Sequence, residues 1–177
     1  TTPSLVAIAS SMIFDYVARQ KHAGANVQYF LVKQLACPTP ERLREEAGWL
    51  RGVSIADWIQ PYVLELFYTS WRLRPCAESL GDKGPPFHWI PLRRALLRAD
   101  LDAGFLHVYG LERDEADHVL DSFPVLQKRE QRDLGEYRTK RLVMEAYDRM
   151  AAAIARGRKG WKPLAEIPAG SGPRHHK

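Results

Sequence analysis

The sequence predicts a mainly α fold, a helical domain with one strand or small β element near residues 26–36. Three observations carry that prediction. Apolar residues recur at three- and four-residue spacing over most of the chain, and proline and glycine punctuate the resulting stripes. Alternation of apolar and polar residues is confined to one stretch, Val27 to Leu35.

In order, Leu5, Ile8, Met12 and Tyr16 recur on one face and predict a single helix from about Ser4 to Lys21. The turn chemistry of Ala23-Gly24-Ala25-Asn26 leads into the strand, which Pro38 and Pro40 stop. A short helix is expected over Glu41 to Leu50, closed by Gly52. Ser54 with Asp57 resembles a helix start. Proline is costly inside a helix and natural at its first turn, so the main helix is set from Pro61 to Leu73, with Val63, Leu66, Phe67 and Trp71 inward. Pro75 ends it, and Gly81 to Phe87 reads as a loop.

Pro91 opens the next helix, with Leu92, Ala95, Leu96, Ala99, Ala103 and Leu106 as its core face and Gly110 as its terminator. Glu112, Asp114 and Glu115 favour a helix start, and that helix breaks at Pro124. The last long helix is expected from Asp133 to Arg156. Domains of 1–52 (helix, turn, strand, short helix) and 53–157 (helical) follow, with 158–177 a flexible basic tail.

The 177 residues include 26 Lys and Arg against 21 Asp and Glu, a formal charge of +5 that suits contact with phosphate without demanding it. Cys37 and Cys76 fit no metal or redox spacing and read as free thiols, which suits a cytoplasmic protein. No apolar run approaches membrane-spanning length. The chain begins at Thr1, inside what reads as a helix-rich domain, and is expected to be a fragment of a longer protein.

Catalytic chemistry is hard to place. No glycine-rich strand-to-helix turn offers backbone N–H groups to a cofactor phosphate, and the six histidines have no ligand spacing. Ser10-Ser11 and Ser70 read as helix residues rather than nucleophiles. Asp100 and Asp102 beside Arg93, Arg94 and Arg98 read as a solvated, salt-bridged face, with Arg98 and Asp102 paired one turn apart. No catalytic, cofactor-binding or metal residue is therefore assigned. Basic groups cluster at Arg19-Gln20-Lys21-His22, at Lys128, Arg129 and Arg132, and at Arg138, Lys140 and Arg141.

Three segments carry a resemblance. Ser10-Ser-Met-Ile-Phe-Asp-Tyr-Val-Ala-Arg-Gln-Lys21, the Gly24 turn and Gln28 to Leu35 form the first. Pro61 to Trp71 with Gly84 to Trp89 and Arg93 to Ala103 form the second. The third runs from His107-Val-Tyr-Gly-Leu111 through Asp121-Ser-Phe-Pro124 to Gly135-Glu-Tyr-Arg-Thr-Lys-Arg-Leu-Val-Met-Glu-Ala-Tyr147. In this order, over nearly all of residues 5 to 155, the chain resembles the C-terminal region of adenine-specific DNA methyltransferases. That family includes fused type II restriction-methylation enzymes and phage-defence methyltransferases.

The resemblance implies a non-catalytic, DNA-binding, target-recognition fragment, with residues 1–52 the end of a recognition-like subdomain. It also implies a parent that binds S-adenosylmethionine in a separate catalytic domain, absent here, and methylates N6 of a flipped adenine. Its partners would be double-stranded DNA and that catalytic domain. Arg19, Lys21, Lys33, Arg138, Lys140 and Arg141 are the expected phosphate contacts, and Asn26 and Gln28 the candidates for base edges. The alternative is a helical scaffold or subunit-interaction module of the same enzyme without DNA contact, supported by Trp58, Trp71 and Trp89 as exposable aromatics.

Overall fold

A computed structural model describes residues 2–21 and 33–176. It is mainly helical, and its described β structure amounts to two isolated bridges, Glu46 with Ser54 and Phe87 with Arg174. The expected strand falls largely outside the described residues. Its described end, Lys33 to Leu35, is a turn and bend rather than extended chain.

The expected first helix is two helices, α1 (Thr2–Ala9) and α2 (Met12–Lys21). Ser11 divides them, because its hydroxyl donates back to the Ile8 carbonyl at 2.8 Å and accepts from Phe14 N–H at 3.3 Å. The Met12 N–H is taken by the Asp102 carboxylate at 2.8 Å.

Helix α3 (Pro40–Arg44) is shorter than expected and is capped by Thr39. The chain then turns back, with Ala47 N–H donating to Val53 O and Ile55 N–H to Glu45 O. This places Trp49 in the core.

Helix α4 (Ile55–Phe67) corrects the expected Pro61 start. Ser54 is its N-cap, accepting from Asp57 N–H, and Pro61 lies inside the helix. The Asp57 carbonyl forgoes its intrahelical partner, a cost that burying Ile55, Trp58, Ile59, Tyr62 and Val63 offsets. Because the helix ends at Phe67, both Phe67 and Trp71 are exposed rather than inward. Trp58, expected as an exposable ring, is core.

Pro75 and Pro124, read from sequence as stops, each sit in the first turn of a helix. A short 3-10 turn (Trp71–Leu73) leads into α5 (Arg74–Ser79), and Pro124 opens α8 (Pro124–Leu134).

The long helices sit close to expectation. Helix α6 (Pro91–Val108) is followed by Gly110, and α7 (Arg113–Asp121) starts with a reciprocal Glu112/Glu115 capping box. Helix α9 (Arg138–Ala155) begins later than expected, because Gly135 at φ 77° closes α8 in the left-handed conformation.

On α6 the expected inner face holds at Ala99, Ala103 and Leu106, which are buried, but Leu92 is exposed and burial extends to Leu97, Asp100, Leu101 and Gly104. Gly104 lets α6 approach the Trp58 indole, since a Cβ there would lie 2.7 Å from Cζ3 and closer still to Cη2. Trp49 and Trp58 meet edge to face at 4.9 Å beside it.

One cluster of buried side chains runs from Ala7 to Ala165, so residues on both sides of position 52 share a core. Residues 158–176 are not a loose tail. Arg93 donates to Ile167 O and Pro168 O, and the Glu65 carboxylate accepts from Gly170 and Gly172 N–H. Leu164 N–H reaches Asp100 at 3.2 Å. Arg174 pairs with Asp82 and lies over the Phe87 ring. Backbone polar groups expected to face water are met by buried side chains, which is why a Gly/Pro-rich segment holds one course over the body.

Candidate functional site

The expected cations occupy two places. At the end of α2, Arg19 donates to Asp15 at 2.9 Å and to the Ser122 carbonyl at 3.3 Å, and its guanidinium lies 4.1 Å over the Phe123 ring. Lys21, the last described residue of α2, is exposed and makes no ion pair with the described residues. Lys33 is exposed where description resumes. Asn26 and Gln28 lie outside the described residues. The returning chain is tied to the body by the Tyr109 hydroxyl, which donates to Ala36 O at 2.9 Å.

The second place is the start of α9, where most positive charge is already answered. Lys140 Nζ sits 2.9 Å from Asp117 and 2.7 Å from Asp121, so α9 is fastened to α7. Burial opposes the Lys140 charge, but the hydrogen bonds it donates to Asp121 and Asp117 outweigh that and raise the ammonium pKa. Arg141 makes a two-pronged pair with Glu136 at 2.8 and 3.0 Å, which raises the guanidinium pKa and lowers that of Glu136. Arg138 is half-buried, with Nε enclosed and lacking a partner.

Around them, Glu130 accepts from Thr139 N–H at 2.8 Å and Thr139 Oγ1 at 2.6 Å. The Tyr137 hydroxyl donates to Leu120 O at 2.9 Å and Tyr147 to Leu111 O at 2.8 Å. The segment from Gly135 to Tyr147 thus clips α7, α8 and α9 together. Comparison with protein-family models, with curated proteins and with solved structures finds no match.

The carboxylates of α6 also differ from expectation. Asp100 is 1% exposed and inward rather than on a solvated face. Burial lifts its carboxyl to about 7, against the hydrogen bonds from Leu164 N–H and Tyr62. Asp102 caps the start of α2 instead of pairing with Arg98, and burial lifts it to about 7 as well. Each joins α6 to a distant segment, a structural use that spacing along α6 alone does not disclose.

Among the described residues no strand-to-helix glycine turn is present, and the glycines with positive φ lie in turns and past helix ends. No described helix is long and apolar enough to cross a membrane.

A feature missed from sequence lies where α4 ends beside α6. Trp89 is 61% and Trp71 49% exposed, and the Arg94 guanidinium lies 3.6 Å over the Trp89 ring. Trp71 and Trp89 were legible only as aromatics able to be exposed. The cations gathered around them come from separate segments.

Proposed function

We propose that this chain is a non-catalytic helical module of an N6-adenine-specific DNA methyltransferase of a restriction-modification or phage-defence system. In it, the edge formed by the end of α2 and the return at Lys33 faces double-stranded DNA. The observation that carries the reading is that the three segments resembling those enzymes contact one another through their own distinctive residues. Arg19 of the first stacks on Phe123 of the third, Asp102 of the second caps α2 of the first, and Tyr109 of the third holds Ala36 just after the first. A shared module explains why these residues occur together.

At that edge Arg19 is fixed, while Lys21 extends an uncommitted charge. Such a cation adds affinity by releasing counterions from phosphate, independently of base sequence. The parent's catalytic domain would bind S-adenosylmethionine, which supplies the methyl group.

A second reading, a scaffold without DNA contact, is favoured by the Lys140 and Arg141 pairs, since a phosphate must compete with carboxylates already in place. Anisotropy titration of the intact chain with a labelled duplex at low and moderate salt separates the two. DNA contact predicts affinity that falls with salt, and a K21E variant that binds less tightly with a salt slope reduced by about one. Absence of binding at low salt leaves the scaffold.

A further inference from the structure

We infer that the corner where α4 meets α6 is a binding surface for unpaired nucleotides, whose bases stack on Trp89 and Trp71 and whose phosphates meet Arg72 and Arg98. The inference rests on the chain being nucleic-acid-facing but uses a surface other than the α2 edge.

The corner is assembled around two links. Arg94 Nη1 donates to Leu66 O at 2.8 Å, and Phe87 N–H donates to Tyr68 O at 2.8 Å. These bring Trp89 beside the end of α4, where Phe67 is exposed and Trp71 follows shortly in the chain. Arg94 covers one face of Trp89 and holds the ring, and the exposure of Trp89 leaves area for a second planar group. Among the described residues, four of the ten exposed large apolar side chains belong here: Phe67, Trp71, Trp89 and Leu92.

Charge selects the occupant. Every carboxylate from Glu65 to Asp100 is already engaged: Glu65 by Arg93, Glu78 by Arg74, Asp82 by Arg174, and Asp100 by Leu164 N–H and Tyr62. Among the described residues Arg72, Lys83, Arg94 and Arg98 make no salt bridge, although Arg98 stands within electrostatic reach of the buried Asp102, and no side chain caps the first turn of α6. A polyanion is the complementary partner. An acidic protein would satisfy the charge, but protein anchors fill pockets. Two shallow hollows among the described residues lie elsewhere, along α9 and between α2 and α7. Stacked bases need only open ring faces with cations alongside, and exposed indoles with adjacent guanidiniums provide both.

The test uses the intact chain and a fluorescein-labelled oligothymidylate of about 15 nucleotides at low and moderate salt. Quenching of tryptophan emission is a second readout, since Trp49 and Trp58 are buried. The expected result is salt-sensitive binding with quenching. W89A and W71A should each weaken it at least about fivefold, R98E should also weaken it, and K21E should leave it unchanged. These side chains are exposed, and circular dichroism is to check that each variant folds. K21E weakening the duplex while sparing the oligonucleotide keeps the two surfaces distinct. Overturning results are no binding at low salt, affinity and quenching indifferent to W89A and W71A, or equal binding of polyglutamate with the same dependence on Trp89. The last would make the corner a surface for acidic protein.

Discussion

The clip of α7, α8 and α9 and the corner of α4 and α6 are both rich in cations, yet they treat that charge in opposite ways. In the clip, Lys140, Arg141, Arg113 and Arg149 each face one or more carboxylates, and Glu130 is buried against Thr139. In the corner the carboxylates are engaged by other partners, Arg94 lies over the exposed Trp89 ring, and Arg72 and Arg98 are exposed on the same two segments. Paired charge fixes the mutual position of helices, and unpaired charge beside apolar surface is what a partner can use. Net charge therefore says little about where a polyanion binds.

Four substitutions test that contrast, beginning with one on α6, which forms part of the corner and packs against α9 of the clip. Gly104→Ala inserts a methyl into the Trp58 indole, and overpacking of this kind should cost about 3 kcal/mol. Urea denaturation should show a large loss felt in both regions. A loss below about 1 kcal/mol would mean that α6 is not held closely against α4.

Asp100→Asn comes next. The Asp100 carboxyl is raised from 3.8 to about 7 in the folded chain, so its ionisation disfavours the fold. With the folded pKa above the unfolded one, its contribution is fully present below about pH 4 and is lost as pH rises through about 7. D100N should remove much of that decline and gain on the order of 2 kcal/mol relative to the native chain at pH 8. Parallel stability profiles of the two proteins from pH 4 to 8 would show that Asp100 is not the group responsible.

The smallest effects compare Lys140→Ala with Arg98→Ala. The first leaves Asp117 and Asp121 without their cation, and their exposure of 40% and 51% holds the loss to about 1 kcal/mol, less at high salt. The second removes an exposed charge that makes no salt bridge among the described residues and should change stability by less than about 0.5 kcal/mol. Equal losses would erase the distinction between clip and corner.

Much was readable in one dimension. The spacing of Leu142, Val143, Ala146, Tyr147 and Met150 defined the buried face of α9. Pro91 and Gly110 bounded α6, and Glu112 with Glu115 marked the start of α7. Where local signals conflicted, the reading failed. The Ser54 cap outweighed Pro61, Ser11 broke a continuous apolar stripe, and Pro75 and Pro124 began helices rather than ending them. Each is a local preference whose outcome was settled by packing.

By itself the sequence determined the mainly helical class and the faces of the longest helices, because amphipathic periodicity and capping act between residues a few positions apart. The tertiary structure alone decided which cations were neutralised, which carboxylates were buried and how residues 158–176 were bound. Asp117 meets Lys140 across 23 positions and Glu65 meets Gly170 across 105. Contacts over such separations depend on how helices cross, and no local pattern encodes that.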